Sequence, residues 1–221
     1  MTDHTDHPAP TDHDDAPPSA DEALALIREQ QRSVERKQLG GIPWILGIWA
    51  IAWGAGFFAL WSGYDGGNPW FSIPLGVAGT IFGALIVGAI VVSAVVGARV
   101  GRGIQGASAF SGAVYGISWM VGSGVVFAIG IALTRAGADS AVMSLYYPAG
   151  YSLVAGLIYL MGAALWRSVD QLVLGIIIAV VGAIAPFFGA PTNNLVMAVL
   201  GGGAFLVAAL VMQLSLSRGR S

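Results

Sequence analysis

The side chains best equipped for chemistry are gathered at the start of the chain, where His4, His7 and His13 stand among Asp3, Asp6, Asp12, Asp14 and Asp15. Imidazole and carboxylate ligate divalent metals, but these spacings prescribe no preformed site. The run MTDHTDHPAPTDHDDAPP is acidic, rich in proline and nearly free of large apolar side chains, so residues 1–18 read as a solvated, disordered tail. It has neither the basic start nor the apolar centre of a signal peptide. Elsewhere the reactive inventory is thin. With no cysteine, disulfides, thiol catalysis and cysteine-held clusters are excluded. No Walker sequence, HExxH or serine-nucleophile elbow is present; the chain reads as a non-enzyme with no cofactor and no metal.

What remains is uncharged and aromatic: Thr80, Ser93, Tyr115, Ser118, Ser123, Ser152, Asn193 and Asn194, with Pro186 and Pro191 as helix breakers. Hydroxyls, amides and free carbonyls bind sodium or neutral solutes where membrane helices are broken. Trp49 and Trp53, four apart, share a helix face, and Trp119 follows later; indole rings can wall a groove for lipid. Candidate solute or lipid contacts are therefore Trp49, Trp53, Tyr115, Ser118, Trp119, Asn193 and Asn194. The competing reading is ordinary packing, with Asn193 and Asn194 capping the first turn of a helix.

These residues must be positioned by apolar segments. The composition is 56% hydrophobic and 10% charged, against roughly 25% charged in an ordinary soluble domain. The uncharged stretches are long enough for spans of about 20 residues, and they predict six transmembrane helices near 43–62, 71–97, 109–134, 141–165, 171–188 and 195–214. Backbone in a bilayer must satisfy its own hydrogen bonds as helix or closed barrel. Leu75 to Val96 and Leu172 to Ile184 are apolar or small at nearly every position, which lacks the alternation of a barrel. The expected fold class is all-α: a six-helix polytopic bundle over 41–215, a juxtamembrane helix over 19–40 and a short tail at 216–221.

Six spans put both termini in one compartment. Of the ten basic residues, Arg28, Arg32, Arg36, Lys37, Arg99, Arg102, Arg167, Arg218 and Arg220 then fall on one side, and Arg135 alone on the other. The positive-inside rule makes the first side cytoplasmic, predicting a multi-pass protein of the inner cell membrane with both termini inside. Arg36, Lys37, Arg99, Arg102, Arg167, Arg218 and Arg220 serve as topology determinants, and Arg167 with Asp170 can pair across the short turn after span four or help start span five. No charged or histidine side chain lies at mid-membrane depth, which lowers the case for proton- or ion-coupled transport.

Two further features concern association. Ser19 and Glu22 form a capping box, and the helix it starts carries Leu24, Ile27, Gln31 and Val34 on one stripe. Residues 19–39 can anchor on lipid or dock a cytoplasmic partner. The chain has 32 glycines, among them the GxxxG pairs Gly79/Gly83, Gly97/Gly101 and Gly112/Gly116, which let membrane helices approach closely. Gly201, Gly202 and Gly203 are consecutive and point several ways. A homo-oligomer is one implication; nucleic acid is not a partner. A faint internal match, Gly97-Ala98 before Arg102 and Gly162-Ala163 before Arg167, suggests that hairpin one–two repeats as hairpin three–four.

The run EALALIREQQRSVERK over 22–37, the tryptophan-rich first span, GASAFSGAVYG over 106–116, LWR over 165–167 and PTNNLVMA over 191–198 together resemble a group of six-span integral membrane proteins of actinobacteria, loosely labelled as transporters. The resemblance covers residues 20–214 and implies no catalytic residue. The expectation is a small permease, or the membrane subunit of a multicomponent transporter for a solute or lipid. The alternative is a scaffold or regulatory protein acting through helix–helix association.

Overall fold

The computed structural model describes residues 19–26, 28–29, 40–100 and 106–218, in two units, Met1–Lys37 and Gln38–Ser221. In the first unit, residues 20–26 and 28–29 are helical. The helix starts at the expected capping box. Ser19 N donates to Glu22 Oε2 at 2.8 Å, Ser19 Oγ donates to the same oxygen at 2.9 Å, and Glu22 N donates back to Ser19 Oγ at 3.3 Å. The backbone bond, then the hydroxyl, hold the Glu22 carboxyl below its ordinary value. The three histidines, Ile27, Gln31, Arg32, Val34, Arg36, Lys37, Gly101, Arg102 and Arg220 lie outside the described residues.

The second unit contains six helices long and apolar enough to cross a membrane: α1 Ile42–Gly63, α2 Leu75–Val100, α3 Ser108–Arg135, α4 Ser140–Trp166, α5 Val169–Phe188 and α6 Thr192–Ser217. Pro43 occupies the first turn of α1, where its missing N–H leaves nothing unpaired. Helix α2 starts at Leu75 rather than 71, because the preceding residues belong to a folded loop in which Ile73 N donates to Ser62 O at 3.1 Å. Asp139 caps α4 by accepting from Val142 N at 2.8 Å, and Ser168 caps α5. Arg167 takes a left-handed conformation, φ 51°, as the C-cap of α4.

Neighbouring helices pack in the order α2, α1, α6, α5, α4, α3. The α5–α6 pair is central, and the sequence-adjacent helices α2 and α3 are the outermost. Their burial differs accordingly: half of the α1 span is buried, against 6% for α2 and 11% for α3. This order also argues against the parallel hairpin repeat, since α1 is interior to the arrangement while its supposed equivalent α3 is peripheral.

Close packing rests on glycines other than the expected pairs. Among the described residues, and apart from chain neighbours and each helix's own backbone, no atom lies within 4 Å of where a Cβ would stand on Gly79, Gly83, Gly97, Gly112, Gly116 or Gly203. Among the described residues these glycines therefore mark no close helix approach. The close approaches are at Gly56 on Phe82, Gly122 on Val154, Gly150 on Val126, and Gly156 with Gly175, where a Cβ on either glycine would lie 2.9 Å from the other's carbonyl oxygen. Gly182 leaves room for Ser152, and Gly130 for Tyr147. Gly201 and Gly202 do behave as expected: a Cβ there would stand 2.6 Å from the Trp53 ring and 2.7 Å from Gly54 N respectively.

Candidate functional site

Two assemblies gather the residues singled out from the sequence. The first is a chain of aromatic rings running through α4, α3, α6, α1 and α2. Trp166 meets Tyr115 at a centroid distance of 4.8 Å, Tyr115 meets Trp119 at 6.3 Å, Trp119 meets Tyr159 at 5.7 Å, and Tyr159 meets Phe205 at 6.2 Å. Phe205 in turn touches Trp53 at 5.2 Å and Trp49 at 6.4 Å, and Trp53 continues through Phe57 to Phe82 at 5.6 Å and 5.0 Å. Most contacts are edge-on or tilted, which matches the quadrupoles of the rings and contributes about 0.5–1.5 kcal/mol per pair. Trp49 also donates from Nε1 to Ser93 Oγ at 3.0 Å, tying α1 to α2. Four of the seven candidate contacts, Trp49, Trp53, Tyr115 and Trp119, thus belong to one structure.

The open glycines border this chain. In α2, Gly79 and Gly83 precede Phe82 and Ile86 by three residues; in α3, Gly112 and Gly116 precede Tyr115 and Trp119 by three. Residues three apart are surface neighbours on a helix. Phe82, Ile86 and Trp119 pack against the core, so each outer helix carries a smooth, unfilled strip beside its inward-packed side chains.

The second assembly joins α4, α5 and α6. Pro148 lies inside α4, and a proline has no N–H for the carbonyl four residues earlier. That carbonyl belongs to Ser144, and it accepts from Asn193 Nδ2 at 2.8 Å. Asn193 is 1% exposed and Asn194, whose Nδ2 donates to Asn193 Oδ1 at 3.5 Å, is equally buried. Both lie within the first turn of α6, and no side-chain cap is made there. The capping role expected of them is therefore corrected: Asn193 repairs the proline break of a neighbouring helix. Ser152 Oγ donates to the Pro148 carbonyl at 2.6 Å on the same stretch.

Next to this junction the backbone is irregular. Helix α5 ends in a 3-10 turn, Ala185–Phe188, holding Pro186, and Met197–Gly201 in α6 form a π-helical turn. Such a turn holds one residue more than an α turn. Counting from the pinned Asn193, an uninterrupted α-helix would present Leu200 to Trp53; with the extra residue, Gly201 stands there and Gly202 meets Gly54. Beside it runs an apolar groove of about 300 Å³ between α1 and α6, floored by Gly54, Ala198 and Gly202.

Two further polar candidates, Thr80 and Ser118, are turned onto their own helices. Thr80 Oγ1 donates to Gly76 O at 2.8 Å and Ser118 Oγ to Val114 O at 2.8 Å. Ser118 is not part of the aromatic chain. Among the topology determinants, Arg99 occupies the last turn of α2, and Arg167 ends α4 without a hydrogen bond or ion pair to Asp170 among the described contacts. Phe205, Tyr159 and Pro148 were not singled out as functional from the sequence. Pro148 carried a readable signal, since a proline inside an apolar span implies a carbonyl in need of a donor.

No family model matches the chain, and no curated protein or solved structure matches it either.

Proposed function

We propose that this chain is an integral membrane subunit that works by lateral helix association, presenting the open glycine strips of α2 and α3 to other helices within a larger membrane assembly. One observation carries the reading: among the described residues, a Cβ on Gly79, Gly83, Gly112 or Gly116 would meet nothing within 4 Å beyond its chain neighbours and its own helix backbone. Glycine in a helix costs about 1 kcal/mol relative to alanine, and in a bilayer that cost is offset when another backbone comes close enough to gain dispersion contacts. Here that second backbone belongs to another copy or another subunit. The polar side chains support this role, because Asn193 is committed to Ser144 and the hydroxyls of Thr80, Ser118 and Ser152 to their own helices, while among the described residues the buried Gln171 Oε1 has no partner. In this proposal both termini face the cytoplasm, and residues 19–39 dock a cytoplasmic partner of the assembly.

The test is photobleaching-step counting and copurification from native nanodiscs. Wild-type chain should occur in complexes, and Gly79→Ile with Gly83→Ile should release it as a folded monomer. A wild-type chain that is monomeric and without partners ends the proposal. Transport stands as the second reading, favoured by the broken backbone of α4 to α6, since transporter sites use such discontinuities. Solute flux in proteoliposomes holding this chain alone separates it from the first.

A further inference from the structure

The loop from Tyr64 to Pro74 between α1 and α2 is held in shape by Ser62, 1% exposed. Ser62 Oγ donates to Phe58 O at 2.9 Å and accepts from Asn68 Nδ2 at 3.0 Å, and the Ser62 carbonyl accepts from Ile73 N at 3.1 Å. Asn68 Oδ1 accepts from Trp70 N at 3.0 Å, and Gly67 N donates to Tyr64 O at 3.1 Å. Gly67 sits so near the Trp61 carbonyl that no side chain fits, and Gly66 has φ 73°, where glycine is favoured. This network shapes an open bowl of about 720 Å³, lined by Tyr64, Asp65, Asn68, Ser72 and the glycine backbone. That is the size of a small-molecule site.

Among the described residues lining the bowl Asp65 alone is charged, so a complementary ligand carries positive charge. No group of three or more His, Cys, Asp or Glu that could hold a metal exists among the described residues, and a single carboxylate gives the bowl little anionic charge for a divalent ion. The space also exceeds what a bare ion fills. We infer that the bowl binds an alkylammonium group: Asp65 supplies the counter-charge, the Tyr64 ring a π face, and Asn68 with the loop carbonyls acceptors for an attached hydroxyl. Trp70 and Phe71, 77% and 53% exposed beside it, suit a site at the edge of a bilayer, where the ammonium belongs either to a lipid headgroup or to a free solute.

The test is saturation-transfer NMR on the full chain in uncharged detergent, with choline and its neutral isostere 3,3-dimethyl-1-butanol. One exposed ion pair and one cation–π contact lead to weak affinity, on the order of tens of millimolar. Choline should bind, the isostere should not compete, and Asp65→Asn should weaken choline by about threefold or more. Choline should also shift the amide resonances of Gly66 and Gly67. Equal signals from the two compounds, unchanged affinity in Asp65→Asn, or shifts confined to other residues would overturn the assignment. Reconstitution separates the two sources. If phosphatidylcholine vesicles abolish the free-choline signal that phosphatidylglycerol vesicles preserve, the natural ligand is the headgroup; if both preserve it, the ligand is a free solute.

Discussion

Replacing Asn193 with leucine removes the donor that serves the Ser144 carbonyl, and the structure says how to prove that this bond, rather than packing, is what is lost. The bond is 2.8 Å long and Asn193 is 1% exposed. Leaving a buried acceptor unpaired costs about 1–3 kcal/mol in a soluble protein, while interhelical bonds in membranes average about 0.6 kcal/mol with a maximum near 1.7. An expected cost of about 1–2 kcal/mol follows. Ser144 lacks an intrahelical partner only because Pro148 has no N–H, so Pro148→Ala supplies one in the same helix. In that background Asn193→Leu should cost less, by about 1 kcal/mol. The loss of the Asn194 contact to Asn193 occurs in both backgrounds and cancels. The assay is a double-mutant cycle read from equilibrium unfolding in mixed micelles, with a detectable coupling of at least about 0.5 kcal/mol. Equal costs of Asn193→Leu with and without Pro148 would refute the repair argument and leave Asn193 as a space-filling residue.

Glycine substitutions should divide into two groups: Gly112→Ile with Gly116→Ile keeps the monomer's melting temperature and loses association, whereas Gly202→Ala, forced to within 2.8 Å of Gly54 Cα, destabilises by about 1–3 kcal/mol. Thermal unfolding in detergent beside a subunit count resolves them. Deleting Val199, 61% exposed in the π turn, should turn Met197–Gly201 into ordinary α-helix while keeping Gly201 and Gly202 on α1. Deleting Ala208 rotates the C-terminal end of α6 out of register, so if its melting temperature falls no further than that of the Val199 deletion, the register argument fails. Phe205→Ala, which breaks the aromatic chain at its junction, should cost about 3 kcal/mol or more. In the first unit, the lowered pKa of Glu22 means that its contribution to the helix start is complete above the ordinary carboxylate pKa and disappears as pH falls through the lowered value. Ser19→Ala should move the Glu22 midpoint upward in a carbon-detected NMR titration.

The helices were legible because a bilayer permits few alternatives. Apolar runs such as Leu75 to Val96 can be little else than membrane helices once their backbone must satisfy itself, and Ser19 with Glu22 reads as a helix start from spacing alone. Partner choice was much less legible. Gly79 and Gly83 carry the same GxxxG spelling whether the neighbour is another helix of the chain, another copy or lipid, and it is Gly156 and Gly175, outside any such pair, that face each other backbone to backbone across α4 and α5. The motif records where a backbone could approach, while the matching residue on the opposite helix decides whether it does. The asparagines show the same limit. Asn193 near the start of a helix has the local signature of a cap, and the demand that claims it arises 45 residues earlier, at Pro148, in a different helix. Only the packing order, with α5 and α6 central and α4 beside them, brings that donor to that carbonyl. The π turn then follows as a consequence: with Asn193 held at one end and Gly201 required against Trp53 at the other, one residue too many separates the two, and the helix widens to accommodate it.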